Sequence, residues 1–181
     1  GISAAAATLF VAVDAESEDN EEWIHTSSTT DPKENRAQIN NNGVKFRSDP
    51  SNGGSASGVY VSGEQILQFT LASTSSEVRR NGTQIAGNKG TYAASTLTGN
   101  FTVNGRSSSQ GHAGMKGAIG EFIYLSSNPS ADTRQKMEGY LSHKWGLETS
   151  LPSDHPYLLN APLTSAAAVA KINASAVAND A

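Results

Sequence analysis

Residues 118–157 read AIGEFIYLSSNPSADTRQKMEGYLSHKWGLETSLPSDHPY. From Ala118 to Leu125 the run is apolar apart from Glu121, the composition of a strand covered on both faces. Ser126, Ser127, Asn128 and Pro129 break it, and Ser130 is placed to cap a helix whose first turn carries Asp132. Met137, Tyr140, Leu141 and Trp145 then fall at i, i+3, i+4 and i+8. The resulting stripe must cover a sheet or close one end of a sandwich, and it makes Trp145 a core residue in preference to a sugar-stacking platform. Gly146 suits a left-handed helix end with Leu147 as its apolar contact, and Pro152 and Pro156 forbid further helix.

Outward from this segment the chain is built of short strands. Thr8–Val13 (TLFVAV) should enter the core, and an acidic loop, DAESEDNEE, leads to an extended Trp23-Ile24-His25. Asn42-Gly43 between Ile39 and Val44 predicts a hairpin turn, as does Asn81-Gly82 between residues 77–80 and 83–86. Ser48–Ser57 reads as a polar loop and Val59–Val61 as a short strand. Leu67, Phe69 and Leu71 alternate as in a half-buried strand, and Phe101–Val103 adds another. Arg106–Gly117 reads as a flexible loop. After Tyr157 the composition turns to Ala, Ser, Val and Asn, giving one body at 1–159 and a tail at 160–181, disordered unless docked on a neighbouring subunit.

The 181 residues, 36% hydrophobic and 17% charged with 17 glycines, suit one all-β domain. A net charge of −4 offers no general attraction to nucleic acid or anionic membranes, and no run is long enough to span a bilayer. With no cysteine there are neither disulfides nor thiolate metal sites.

GEFIYLSS, EGYLSHKWGL and LPSDHPY together resemble the C-terminal signature of concanavalin A-like (laminin-G-like) jelly rolls found in bacteriophage structural proteins and bacterial surface proteins. The likeness is close over Gly120–Tyr157 and looser from about Leu9 onward. It implies an antiparallel jelly-roll β-sandwich with one short C-terminal helix and an extended Ala/Ser-rich tail. Trp145, Gly146, His155 and Tyr157 would then be structural anchors. The Asn81-Gly82 hairpin also resembles one in these domains, but Arg79 and Arg80 replace its apolar pair and suggest an exposed edge or contact surface. Domains of this type carry a further strand before TLFVAV. Its absence leaves a clipped chain, or an edge covered by residues 1–7 or by a neighbour, and so favours a homo-oligomer.

Chemistry is sparse. Glu16, Glu18, Asp19, Glu21 and Glu22 match neither jelly-roll glucanase motif, and a solvated loop is the better reading than the carboxylate pair of a glycosidase. His25, His112, His143 and His155 lack zinc spacing, and no cofactor is expected. Calcium stays an open alternative through Asp14, Asp19, Asp49 and Asn52. Three functions follow, in order of preference. The first is a non-catalytic structural or adhesion module on a virion surface or in an extracellular setting, contacting other virion or surface proteins and weakly binding host glycan. The second is a carbohydrate-binding lectin using rim residues Asn52, Arg106 and His112. The third is a glycoside hydrolase.

Overall fold

The computed structural model describes residues 6–16, 22–28, 35–40, 43–48, 56–58, 61–72, 76–86, 100–103 and 116–163. Among these residues ten strands occur in chain order: β1 Ala7–Ala15, β2 Glu22–Ser28, β3 Asn35–Asn40, β4 Gly43–Ser48, β5 Ala56–Gly58, β6 Gly63–Leu71, β7 Glu77–Arg80, β8 Thr83–Ala86, β9 Asn100–Val103 and β10 Gly117–Leu125. Helix α1 spans Ala131–Trp145, followed by a 3-10 turn at Glu148–Ser150. One sheet has the order β10-β1-β6-β7-β8 and the other β5-β4-β3-β2-β9, with antiparallel pairing throughout. The architecture is an all-β sandwich of jelly-roll type with one helix, as the sequence leads one to expect.

The helix adds a third layer on the outer face of the first sheet, and β1 explains why it lies there. Leu9, Val11, Val13 and Ala15 point into the sandwich, meeting Leu67, Phe69 and Val78 of their own sheet and Ala37, Ile39 and Val44 of the other. Phe10, between them, points outward and packs with Ile66 against Leu141 and Leu147. Successive strand side chains face opposite ways, so a strand apolar at every position needs cover on both faces. The helix supplies the second cover.

β1 and β6 therefore hold the doubly covered positions that the sequence suggested for 118–125. In β6, residues 65–70 are all buried, where a half-buried strand was expected. β10 stands at the end of its sheet with side chains mostly half-buried. Its Ile119, Phe122 and Tyr124 lean on the inner core, while Ile123 and Leu125 lean on the helix side. β1 is paired on one side by β10 and on the other by β6, so the expected bare edge beside TLFVAV does not exist there.

Turn chemistry was read correctly at one hairpin and displaced at the other. Asn81 (φ 47°) and Gly82 (φ 78°) both adopt positive φ between β7 and β8, the requirement of a type I′ turn. Asn81 also extends the neighbouring ladder, because its N–H donates to the Ile66 carbonyl (2.8 Å) and its Oδ1 accepts from the Ile66 N–H (2.7 Å). At the first hairpin Gly43 pairs with Asn40 within the ladder, so the connection is 41–42, outside the described residues. Of the strand expected at Val59–Val61, residues 59–60 lie outside the described residues and Val61 is 47% exposed; a short strand precedes it at Ala56–Gly58.

Helix α1 is closed at both ends. The Ser130 hydroxyl accepts from Thr133 N–H at 3.2 Å, and Gly146 turns left-handed (φ 71°). Leu147 N–H donates to the Ser142 carbonyl at 2.7 Å, the long bond of a Schellman ending. The segment after it folds back over the helix, and a Cβ on Gly139 would sit 2.4 Å from Tyr157 Cβ and 3.2 Å from Pro162 Cδ. His143 Nε2 meets the Tyr157 carbonyl at 2.8 Å. Residues to Leu163 are described, with Leu159 84% exposed, and the remainder of the expected tail lies outside the described residues.

Candidate functional site

Two surface hollows hold the chemistry of the described residues, one beside Trp145 at the C-terminal end of α1 and one beside Arg134 and Glu138 nearer its start. The first, about 170 Å³, lies beneath Trp145 and is lined by Ala12, Asp14, Glu64, Ala118, Gly120 and Leu147 among others. Trp145 was expected in the core but is 40% exposed, as is Tyr140. The cause lies in what the helix end covers. Leu141 sits over Phe10 and Ile66, whereas the sheet below Trp145 carries Ala12, Ala118 and Gly120. The indole rests on Gly120, where a Cβ would fall 2.8 Å from Cη2 and Cζ2. Small residues hold the ring above the sheet, and part of it stays open to solvent.

Glu121 orients this surface. Its carboxylate accepts from Tyr140 Oη (3.1 Å) and Trp145 Nε1 (3.4 Å) and pairs with Lys144 Nζ (2.9 Å). Lys144 Nζ also lies 5.4 Å from the Tyr140 ring centroid and 5.9 Å from that of Trp145, within cation–π range. Desolvation pushes the Glu121 carboxyl up, but hydrogen bonds from Lys144, Tyr140 and Trp145 and the Lys144 charge outweigh it, so Glu121 ionises below the ordinary value. Hydrogen bonds to Tyr140 and Glu121 raise Lys144 in turn.

A depressed folded-state value stabilises the cluster above the ordinary carboxylate pKa, and that contribution is lost as pH falls through the folded value. Acidification below the ordinary carboxylate range is therefore expected to release the indole and shift tryptophan fluorescence in a step that Glu121→Gln abolishes. An identical acid profile in Glu121→Gln would show that Glu121 does not hold the ring.

Register explains the hollow's other wall. Asp14 of β1 pairs directly with Glu64 of β6, and even-numbered residues of both strands face the helix side, as Phe10 and Ile66 do. Two carboxylates thus stand side by side at the hollow. Among the described residues, neither side chain has a hydrogen-bond or ion-pair partner.

The second hollow, about 280 Å³, is polar and centred on Glu138. The Glu138 side chain is only 2% exposed and meets Arg79 Nε at 3.4 Å, Arg134 Nε at 3.9 Å and His155 Nε2 at 3.1 Å. His155 Nδ1 accepts from Tyr157 N–H at 3.2 Å, so Nε2 carries a hydrogen and donates it to Glu138. Arg79 further donates to the Gly82 carbonyl (2.6 Å) and pairs with Glu77 (3.2 Å). Its side chain is 15% exposed, so this arginine is internal glue and not the exposed contact the sequence suggested. Arg80 is also drawn inward, donating to Gln65 Oε1 at 2.9 Å, and burial lowers its pKa. At the hollow Arg79 and Arg134 both face Glu77 and Glu138, so their positive charge is matched there.

Of the residues singled out from sequence, the structure brings Trp145 to the first hollow and His155 to the second, while Gly146 closes the helix and Tyr157 packs on Gly139 and donates its N–H to His155 Nδ1. Asn52, Arg106 and His112 lie outside the described residues, as do Asp19 and Asp49 from the calcium set. Among the described residues no group of three or more His, Cys, Asp or Glu could hold a metal ion, and no helix is long and apolar enough to cross a membrane. Glu16, at the start of the acidic loop, is exposed. Glu64, Glu121 and Glu138 escaped the sequence reading because their roles arise from strand pairing and helix placement, which no local pattern carries.

No family model and no curated protein matches the chain. Solved structures do share its fold. A Trypanosoma rangeli sialidase in complex with sialic acid aligns with TM-score 0.58 at 12% identity, over 77% of this chain and 23% of that one. The CBM40 of Ruminococcus gnavus IT-sialidase, bound to α2,3-sialyllactose, aligns with TM-score 0.56 at 13% identity over 72% of this chain and 80% of that one. Domain 4 of AbnA, a GH43 extracellular arabinanase from Geobacillus stearothermophilus, in complex with arabinotriose, gives TM-score 0.52 at 14% identity, over 68% of this chain and 61% of that one. The chain spans about a quarter of the sialidase's length. At these identities the likeness establishes the jelly-roll β-sandwich fold and nothing finer.

Proposed function

We propose that this domain is a non-catalytic carbohydrate-binding module that stacks a sugar ring on Trp145. The observation that carries the reading is the half-open indole, held against Gly120 by Glu121, above a hollow that offers carboxylate acceptors. Sugars present an apolar face rimmed by hydroxyls, and a fixed aromatic beside polar groups complements both. A hollow of about 170 Å³ is smaller than the roughly 300–1,000 Å³ of enclosed small-molecule sites and suits one ring of a longer glycan. The structural neighbours bound to sialyllactose and arabinotriose support this reading over the particle-surface role that came first from sequence, because no neighbour among those reported is a virion protein.

The test is titration of the whole chain against a panel of neutral, amino and acidic oligosaccharides. Trp145→Ala is expected to weaken binding of any ligand found by at least about tenfold, on the order of 1.4 kcal/mol, while leaving the far-UV spectrum intact. Undiminished binding by that variant, or no sugar bound across the panel, would overturn the proposal.

A further inference from the structure

The Asp14–Glu64 pair raises a question that the sandwich itself does not answer. Like charges directly opposite one another on neighbouring strands are destabilising, yet these two occupy facing positions of the β1–β6 ladder. Both line the Trp145 hollow, with no partner among the described residues. Cross-strand neighbours on one face stand about 4.5–5.5 Å apart at Cβ, a spacing that lets both carboxylates reach a single donor group between them.

Resting on the carbohydrate-binding reading above, we infer that the hollow selects a sugar carrying a free ammonium group, a hexosamine unit, over its N-acetylated or acidic counterparts. An ammonium has three N–H donors and no acceptor, enough to bond Asp14 and Glu64 together. Its charge relieves their mutual repulsion, and the Trp145 face favours a cation as well as a pyranose ring. A carboxylate-bearing sugar would meet two like charges instead. Calcium takes six to eight oxygen ligands, and the described residues gather no third acidic side chain beside this pair. Lys144, the cation on α1 near Trp145, is engaged by Glu121 at 2.9 Å and leaves the acidic character of the hollow intact.

The experiment is calorimetric titration of the full chain at about pH 6. The ligands are a glucosamine tetramer, an N-acetylglucosamine tetramer and sialyllactose. The glucosamine tetramer is expected to bind at least about tenfold more tightly than its N-acetylated form, with an advantage that shrinks as salt is raised. The double variant Asp14→Asn, Glu64→Gln is expected to bring that ratio towards one. Equal affinity for both tetramers, or a ratio unmoved by the double variant, would overturn the charge selection while leaving sugar binding standing. Failure of every sugar to bind would overturn the underlying reading instead. Calcium alone raising the melting temperature of the wild-type chain but not of the double variant would identify the pair as a metal site and overturn the inference.

Discussion

Glu138→Ala should lower the melting temperature by about 6–12 °C. Removing one partner of a buried charge network costs on the order of 3–5 kcal/mol because the remaining charges stay buried without compensation. Here the low end applies, since Arg79 and Arg134 keep 15% and 17% side-chain exposure and regain some water. At about 2–4 °C per kcal/mol for a chain of this size, roughly 3 kcal/mol gives the stated shift. The loss would be felt beyond the helix, because Glu138 also holds His155 at 3.1 Å and, through it, the returning segment at Tyr157. Thermal unfolding followed by circular dichroism is the measurement. A midpoint within about 2 °C of the wild type would mean that the two arginines and His155 are satisfied without this carboxylate.

Phe10→Ala is expected to cost about as much or more, roughly 3–5 kcal/mol, by another route. Phe10 is fully buried and lies on the helix side of β1 with Ile66, Leu141 and Leu147. Its truncation empties the space between helix and sheet while leaving Leu9, Val11 and Phe69 packed in the inner core. The predicted signature is selective. Amide hydrogen exchange should accelerate first in Leu141–Leu147, before β3 and β4 lose protection. Uniform loss across both sheets would show instead that the helix and the sandwich unfold as one unit.

The sandwich was legible in the sequence because its signals are local. TLFVAV, the Leu67-Phe69-Leu71 alternation, Asn81-Gly82, Ser130 and Gly146 each act within a few residues of themselves. What could not be read was the third layer. Helical periodicity counts apolar positions, so it assigned Tyr140 and Trp145 to the buried face and passed over Glu138 and Ser142, which are buried there. A polar residue joins a buried face only when its partners are known, and those partners, Arg79 and His155, come from a distant hairpin and from the exit segment. The apolar run in β10 misled in a similar way. An edge strand that leans one set of side chains on each of two cores has the same composition as a central one. Asp14 entered the sequence reading only as a loop ligand, and its facing partner Glu64 becomes visible only once β1 is aligned with β6.

That doubly covered arrangement leaves the alignment of β1 in need of a marker. In a sheet wetted on one face, sliding a strand by a single residue drives polar groups into the core, and the error is self-punishing. Along Leu9–Val13 every side chain is apolar, so the same slip merely exchanges one greasy set for another. The correct pairing must be recognised by what lies at the strand's ends. Thr8 meets Thr70 at 3.3 Å and donates to the Ser127 carbonyl at 2.9 Å, and Gln68 donates to Thr70 at 2.8 Å. These few hydroxyl and amide contacts act as a vernier for the first sheet, fixing which residue faces which where hydrophobicity alone is blind.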